Sequence, residues 1–176
     1  MKIAELHGYP QIEPKYARLL LSCISQKETR YAINCVEVSK KTICAIDGKR
    51  LLVIYCKHKI DPGLYYLSKE FMLLKNDPDK KFPNWESIIR KDTKEIKIGG
   101  FYSGTTKISR LMYRINNTGH HIDFDLYEPV ARRIAILGVS DMILEIPKKS
   151  IGDRPIQLRF KKYGDTFLFV LMSLSL

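Results

Sequence analysis

From Pro14 the apolar residues Tyr16, Leu19, Leu20, Cys23 and Ile24 recur at helical spacing, with Lys15, Arg18, Ser22 and Gln26 on or near the other face. This predicts one amphipathic helix running toward Lys27. A second helix is predicted from Asp125-Leu126-Tyr127-Glu128, read as a capping box with Asp125 as its cap, through Pro129 in the first turn to a stop at Gly138. Its apolar stripe is Tyr127, Val130, Ala131, Ile134 and Leu137, and Arg132 and Arg133 stand beside it.

Each helix is followed by short β-rich runs. After the first come Tyr31 to Val38, Thr42 to Ile46 and Leu51 to Cys56, with Asp47-Gly48 as a hairpin turn signal. After the second come Val139 to Ile146, Ile156 to Lys162 and Thr166 to Leu174, with Gly164-Asp165 at the last turn. Adding a strand before each helix, Lys2 to Leu6 and one within Ile108 to Ile115, gives two βαβββ halves without sequence identity between them. The expected fold is α+β, two helices packed on antiparallel sheets, in a single domain over residues 1–176. The first half covers about 1–75, a connector about 76–95 and the second half about 96–176. Leu64 to Leu67 and Phe71 to Leu74 read as further strands before the connector. Within it, Phe82-Pro83-Asn84-Trp85 either pins the connector to the core or meets a partner.

Charge narrows the partners. The chain has 30 Lys and Arg against 19 Asp and Glu, a net +11, and its two halves by length carry +6 and +5, so the excess is spread over a folded surface. Polyanions are the expected partners. No apolar run reaches the roughly 18 residues of a membrane span, and the start, Met1-Lys2-Ile3-Ala4-Glu5, does not resemble a signal peptide, so a cytoplasmic location is expected. Cys23, Cys35, Cys44 and Cys56 are widely spaced among apolar neighbours, as buried free thiols rather than a zinc or redox motif.

Catalytic signals are sparse. His121, Asp123 and Asp125 alternate along one stretch, and a metal-dependent nuclease would use such a set, but no fourth ligand accompanies them and Asp125 serves as a cap. No nucleophile elbow, activated cysteine or phosphate-binding glycine loop is present. A non-enzymatic protein without cofactor is expected.

Four stretches carry a resemblance. Arg30-Tyr31-Ala32-Ile33-Asn34-Cys35-Val36 followed by Ala45-Ile46-Asp47-Gly48-Lys49-Arg50-Leu51 resembles the paired Arg-Tyr-x-Leu-Asn-x-Val and Ala-Thr-Asp-Gly-His-Arg-Leu segments of the bacterial sliding clamp family, the beta subunit of DNA polymerase III. Phe82-Pro83-Asn84-Trp85-Glu86-Ser87-Ile88-Ile89 is similar to its Phe-Pro-Asp-Tyr segment. Phe169-Val170-Leu171-Met172-Ser173-Leu174-Ser175-Leu176 is similar to its terminal Tyr-Val-Val-Met-Pro-Met-Arg-Leu. Residues 14–56 look like the first half of the clamp's middle domain and residues 121–176 like the second half of its last, so the chain reads as a shortened, single-domain member.

The resemblance implies two functions. Clamp helices present cations to duplex DNA without reading bases, and here those cations would be Lys15, Arg18, Arg132 and Arg133. Clamps also dock short peptides of polymerases and repair proteins in a hydrophobic pocket. Carried over, that pocket is Ile46, Gly48, Lys49, Arg50, Leu51, Pro83, Ile88, Val170, Met172 and Leu174, although the same apolar residues could be core strand positions. Ile46 stands where the family has Thr, Lys49 where it has His, Ser173 where it has Pro and Ser175 where it has Arg. Ring closure by single-domain subunits would take about six copies in a homo-oligomer. The competing reading is a clamp mimic or adaptor that captures replication proteins and never touches DNA.

Overall fold

Strands that are buried on both faces must sit in the middle of a covered sheet, and three runs in this chain have that character. Thr42–Ile46 is buried at every position, and Arg50–Tyr55 and Asp165–Leu171 are buried at nearly every one. The computed structural model describes residues 3–6, 8–25, 31–76, 79, 81–99, 113, 115, 122–139, 141–148 and 155–172. Its strands are β1 (Ile3–Leu6), β2 (Tyr9–Ile12), β3 (Val36–Val38), β4 (Thr42–Ile46), β5 (Arg50–Tyr55), β6 (Gly63–Leu67), β7 (Leu73–Asn76), β8 (Thr93–Gly99), β9 (Asp141–Pro147), β10 (Ile156–Lys162) and β11 (Asp165–Leu171). The helices are α1 (Pro14–Leu21) and α2 (Phe124–Ile136), with a 3-10 turn at Trp85–Ile88. Nine strands form one antiparallel sheet in the order β7-β6-β3-β4-β5-β11-β10-β9-β8, the two meanders meeting at the β5–β11 pair.

The period of two along a strand sorts side chains between the faces. Ile43, Ala45, Leu52, Ile54, Phe167, Phe169 and Leu171 face α1 and α2 and join their buried stripes in the larger core. Tyr16 of α1 stacks on Phe167, which stacks on Phe160, at centroid distances of 5.7 and 4.8 Å. Cys44, Ile46, Leu51, Val53, Leu168 and Val170 face the other way into a smaller core with Ile33 and Trp85. The connector covers that second core. Phe82, Ile88 and Ile89 pack on it, and Trp85, 7% exposed, donates Nε1–H to Glu37 Oε2 at 2.6 Å. The tryptophan therefore pins the connector.

Polar groups fasten the connector's far end on the same face. Gln157 accepts from Arg90 N at 2.7 Å through Oε1, and its Nε2 donates to Arg90 O at 3.1 Å and to Glu145 Oε2 at 2.6 Å. Arg159 donates Nε–H to the other Glu145 oxygen at 2.6 Å, so the buried carboxylate is fully engaged.

Four expectations about the elements change. In the second half β8, Thr93–Gly99, takes the edge place beside β9, and of the strand expected within Ile108 to Ile115 only Tyr113 and Ile115 are described, both helical, the rest lying outside the described residues. Thr93-Lys94-Glu95-Ile96-Lys97-Ile98 alternates like a half-exposed edge strand, the signal that a connector reading passes over. In the first half, β1 is a strand but pairs with β2 in a separate hairpin, and β6 takes the place beside β3. That hairpin reaches the sheet through a Gln11–Met72 bridge and Ile12 N–H donating to Phe71 O. Finally, α2 is capped by Asp123, whose carboxylate accepts from Asp125 N, so the helix starts at Phe124 and Pro129 falls inside it. Helix α1 closes at Leu21, where Ser22 Oγ donates to Leu19 O at 2.6 Å, and Cys23 and Ile24 follow as buried turn residues.

Candidate functional site

Both helices lie on one face of the sheet and pack against each other, leaving an open groove between them. Arg18 and Leu21 of α1 and Ser22 just after it line one side, and Glu128, Pro129, Arg132, Arg133 and Ile136 of α2 the other. Three of the four cations expected to meet DNA, Arg18, Arg132 and Arg133, thus share one surface although Arg18 lies more than a hundred residues from the other two in sequence. Arg132 is ion-paired with Glu128 one turn earlier and stays mostly exposed. The Arg18 guanidinium lies 5.7 Å from the centre of the Phe71 ring. Lys15 lies outside the groove: its Nζ pairs with Glu13 at 3.0 Å and sits 3.9 Å from the centre of the Tyr163 ring. Ile136, 68% exposed, is the groove residue that pattern reading missed, because it lies off the apolar stripe.

The residues expected to bind a peptide meet at the other face. Ile46 pairs with Leu51 across β4 and β5, and Leu51 pairs with Val170 across β5 and β11, so the three form one cross-strand row. They are 4%, 2% and 2% exposed, closed beneath the connector in the second core with Ile88 half-buried beside them. At the end of this row the β4–β5 turn meets the end of β11, where Met172 N–H donates to Lys49 O at 3.0 Å. Gly48 (φ +89°) supplies the left-handed position of that turn, and the Asp47 carboxylate accepts from Lys49 N and Arg50 N. Gly48 and Lys49 are exposed, as is Met172 at 38%.

Two expected members stand apart. The Arg50 guanidinium pairs with Asp47 at 2.6 Å and donates to Leu126 O at 3.4 Å, so it braces the turn toward α2. Pro83 lines a separate depression with Glu37, Lys40, Leu64 and Trp85. Leu174 lies outside the described residues, as does His121. Of the acids expected beside His121 in a nuclease, Asp123 is the cap of α2 and Asp125 lies in its first turn, and no group of three metal-ligating side chains occurs among the described residues.

All four cysteines are buried and unpaired with one another. Burial pushes the Cys23 thiol up to about 12 and Cys56 up to about 11, and raises Cys44 and the Tyr127 hydroxyl well above their ordinary values. These groups bind protons more tightly folded than unfolded, so their contribution is complete below the ordinary thiol range and is lost as pH rises through the folded values. The melting temperature is therefore expected to fall steadily above about pH 9, measured by circular dichroism, and an unchanged value at pH 11 would contradict the burial of these thiols.

The fold is that of bacterial DNA polymerase sliding clamps. The sliding clamp of Pseudomonas aeruginosa superposes with a TM-score of 0.57 at 14% identity, over 94% of this chain and 66% of that one. The clamp of Bacillus subtilis gives 0.56 at 14% identity, over 100% and 66%. The Helicobacter pylori beta clamp, solved with diflunisal, gives 0.57 at 9% identity, over 96% and 68%. This chain thus spans about two thirds of the length of the clamps it matches. No protein-family model and no curated protein sequence matches it. No helix among the described residues is long and apolar enough to cross a membrane.

Proposed function

We propose that this chain is a non-enzymatic, clamp-like protein that holds duplex DNA against the groove between α1 and α2 without reading its sequence. The observation that carries this reading is the convergence of Arg18, Arg132 and Arg133 on one groove with a single carboxylate, Glu128, among them. Arginines on rigid helices suit phosphate contacts, and such contacts release counterions, so affinity must fall steeply with salt. The test is anisotropy of labelled duplex DNA across a salt series: a steep decline supports the reading, and no binding at low salt overturns it.

A second reading has its own support. Lys15 and Arg132 already have carboxylate partners, which weakens their pull on phosphates, and the row Ile46, Leu51, Val170 ends beside exposed Lys49 and Met172. On this reading the protein is an adaptor for replication or repair proteins that never grips DNA. Both readings share a peptide-docking edge at Gly48, Lys49 and Met172, where a hydrophobic anchor would extend the second core past Ile88. Met172→Ala is then expected to weaken binding of a Gln-Leu-x-Leu-Phe peptide about tenfold, the loss of one buried anchor contact of about 1.4 kcal/mol. Calorimetric titration with equal affinity for both proteins would remove this edge from the site.

A further inference from the structure

A third concavity lies at the opposite end of the central strands from the Asp47–Lys49 turn. Lys40 and Lys41 reach it from the β3–β4 turn, Lys57 and His58 from the end of β5, and Tyr163 and Asp165 from the β10–β11 turn. All three lysines are exposed, and none makes an ion pair among the described residues. The single carboxylate of the lining, Asp165, is 5% exposed and has interactions of its own. Bringing three ammonium groups to one concavity from two separate segments, the β3–β4 turn and the end of β5, raises the local potential, and a bound anion offsets that. A second observation points the same way: both ring nitrogens of His58 are shielded from solvent and have no hydrogen-bond partner. An orphaned buried donor is destabilising, and an entering acceptor oxygen would relieve it.

The location says which anion. The Tyr163 ring in the lining lies 3.9 Å below Lys15 Nζ, and Lys15 is one helical turn from Arg18 of the interhelical groove. Lys162, next to Tyr163, donates to Gly138 O at the end of α2. Lys15, paired with Glu13, and Lys162 thus stand between the groove and the concavity, and cations recur along α1 and over the β10–β11 turn. A small metabolite would not need that continuity, but a phosphodiester chain would use it.

We propose that Lys40, Lys41, Lys57 and His58 form a second phosphate-binding site, which grips the backbone of a nucleic-acid strand running off the helix groove. This rests on the DNA-binding reading for the identity of the strand, though not for the phosphate chemistry.

The test uses the full chain, a labelled single-stranded oligonucleotide of about 12 nucleotides and inorganic pyrophosphate, with Lys41→Glu/Lys57→Glu introduced both alone and with Arg132→Glu/Arg133→Glu. Expected is oligonucleotide binding that survives the arginine reversals, falls about tenfold further with the lysine reversals, and loses about 1.4 from its salt slope, the value for two single-strand phosphates. Pyrophosphate should compete, and should shift the His58 ring resonances. Equal affinity with and without the lysine reversals in both backgrounds overturns the site, whatever the groove does. Binding lost with the lysine reversals but indifferent to the arginine reversals keeps this site and overturns its continuity with the groove. Unmoved His58 resonances at saturating pyrophosphate overturn the phosphate chemistry.

Discussion

Arg132→Glu together with Arg133→Glu is expected to weaken duplex DNA binding about 100-fold at low salt, or about 2.7 kcal/mol, and to flatten the salt slope by about 1.8. Both side chains are exposed on α2 and line the groove, so each reversal removes a counterion-releasing contact and adds a repulsion. The fold should survive. The substitution gives up one surface i,i+4 pair with Glu128, worth about 0.3–0.5 kcal/mol. Lys94→Glu is the internal control: Lys94 is exposed on the edge strand β8, away from the groove lining, and its reversal should cost much less duplex affinity. Anisotropy across a salt series, with circular dichroism to verify folding, measures both quantities. A double variant with the parent's affinity and slope would place DNA elsewhere or nowhere on this chain.

Phe167→Ala should cost about 4 kcal/mol of folding stability, near the middle of the range for emptying a buried aromatic site. Phe167 is fully buried on β11, the strand that joins the two meanders, and its ring stacks on Phe160 and on Tyr16 of α1. The cavity would open between helix and sheet, where backbone hydrogen bonds on both sides prevent collapse. Domains of this size are stable by about 5–15 kcal/mol, so the loss is a large part of the total. Urea denaturation followed by far-ultraviolet circular dichroism reads it directly, and a cost below about 1 kcal/mol would contradict the stacked core. Because Phe167 faces the helices while Val170 faces the connector, this defect should loosen α1 before it reaches the Gly48–Met172 edge.

Much of the site was legible in individual segments. Thr42–Ile46 and Ile156–Lys162 have the bounds their patterns predict, and the parity of β4, β5 and β11 assigns Ile46, Leu51 and Val170 to one face. What parity could not say is that this face would be closed by the connector. Trp85 was legible as an anchor or as a contact for a partner, and its bond to Glu37, 48 residues away, decides for the anchor. Arg50 looked like a pocket rim residue because its neighbours are. Its own position on β5 turns it to the helix side, where Asp47 and the Leu126 carbonyl hold it. The basic concavity was not legible at all, since Lys40, Lys57 and Tyr163 come from turns with no shared sequence pattern.

By itself the sequence determined the kinds of element, the two helix–meander units, the distribution of positive charge and which strand residues share a face. These follow from backbone geometry, with periods of 3.6 and 2 that any short window displays. Only the tertiary structure decided that β6 rather than β1 flanks β3, that β5 joins β11, and that α1 and α2 set their arginines side by side. Those outcomes come from competition among distant segments for the same apolar faces and ladder hydrogen bonds. Partner choice in a sheet depends on total burial over the whole chain, so it leaves no mark within any single strand.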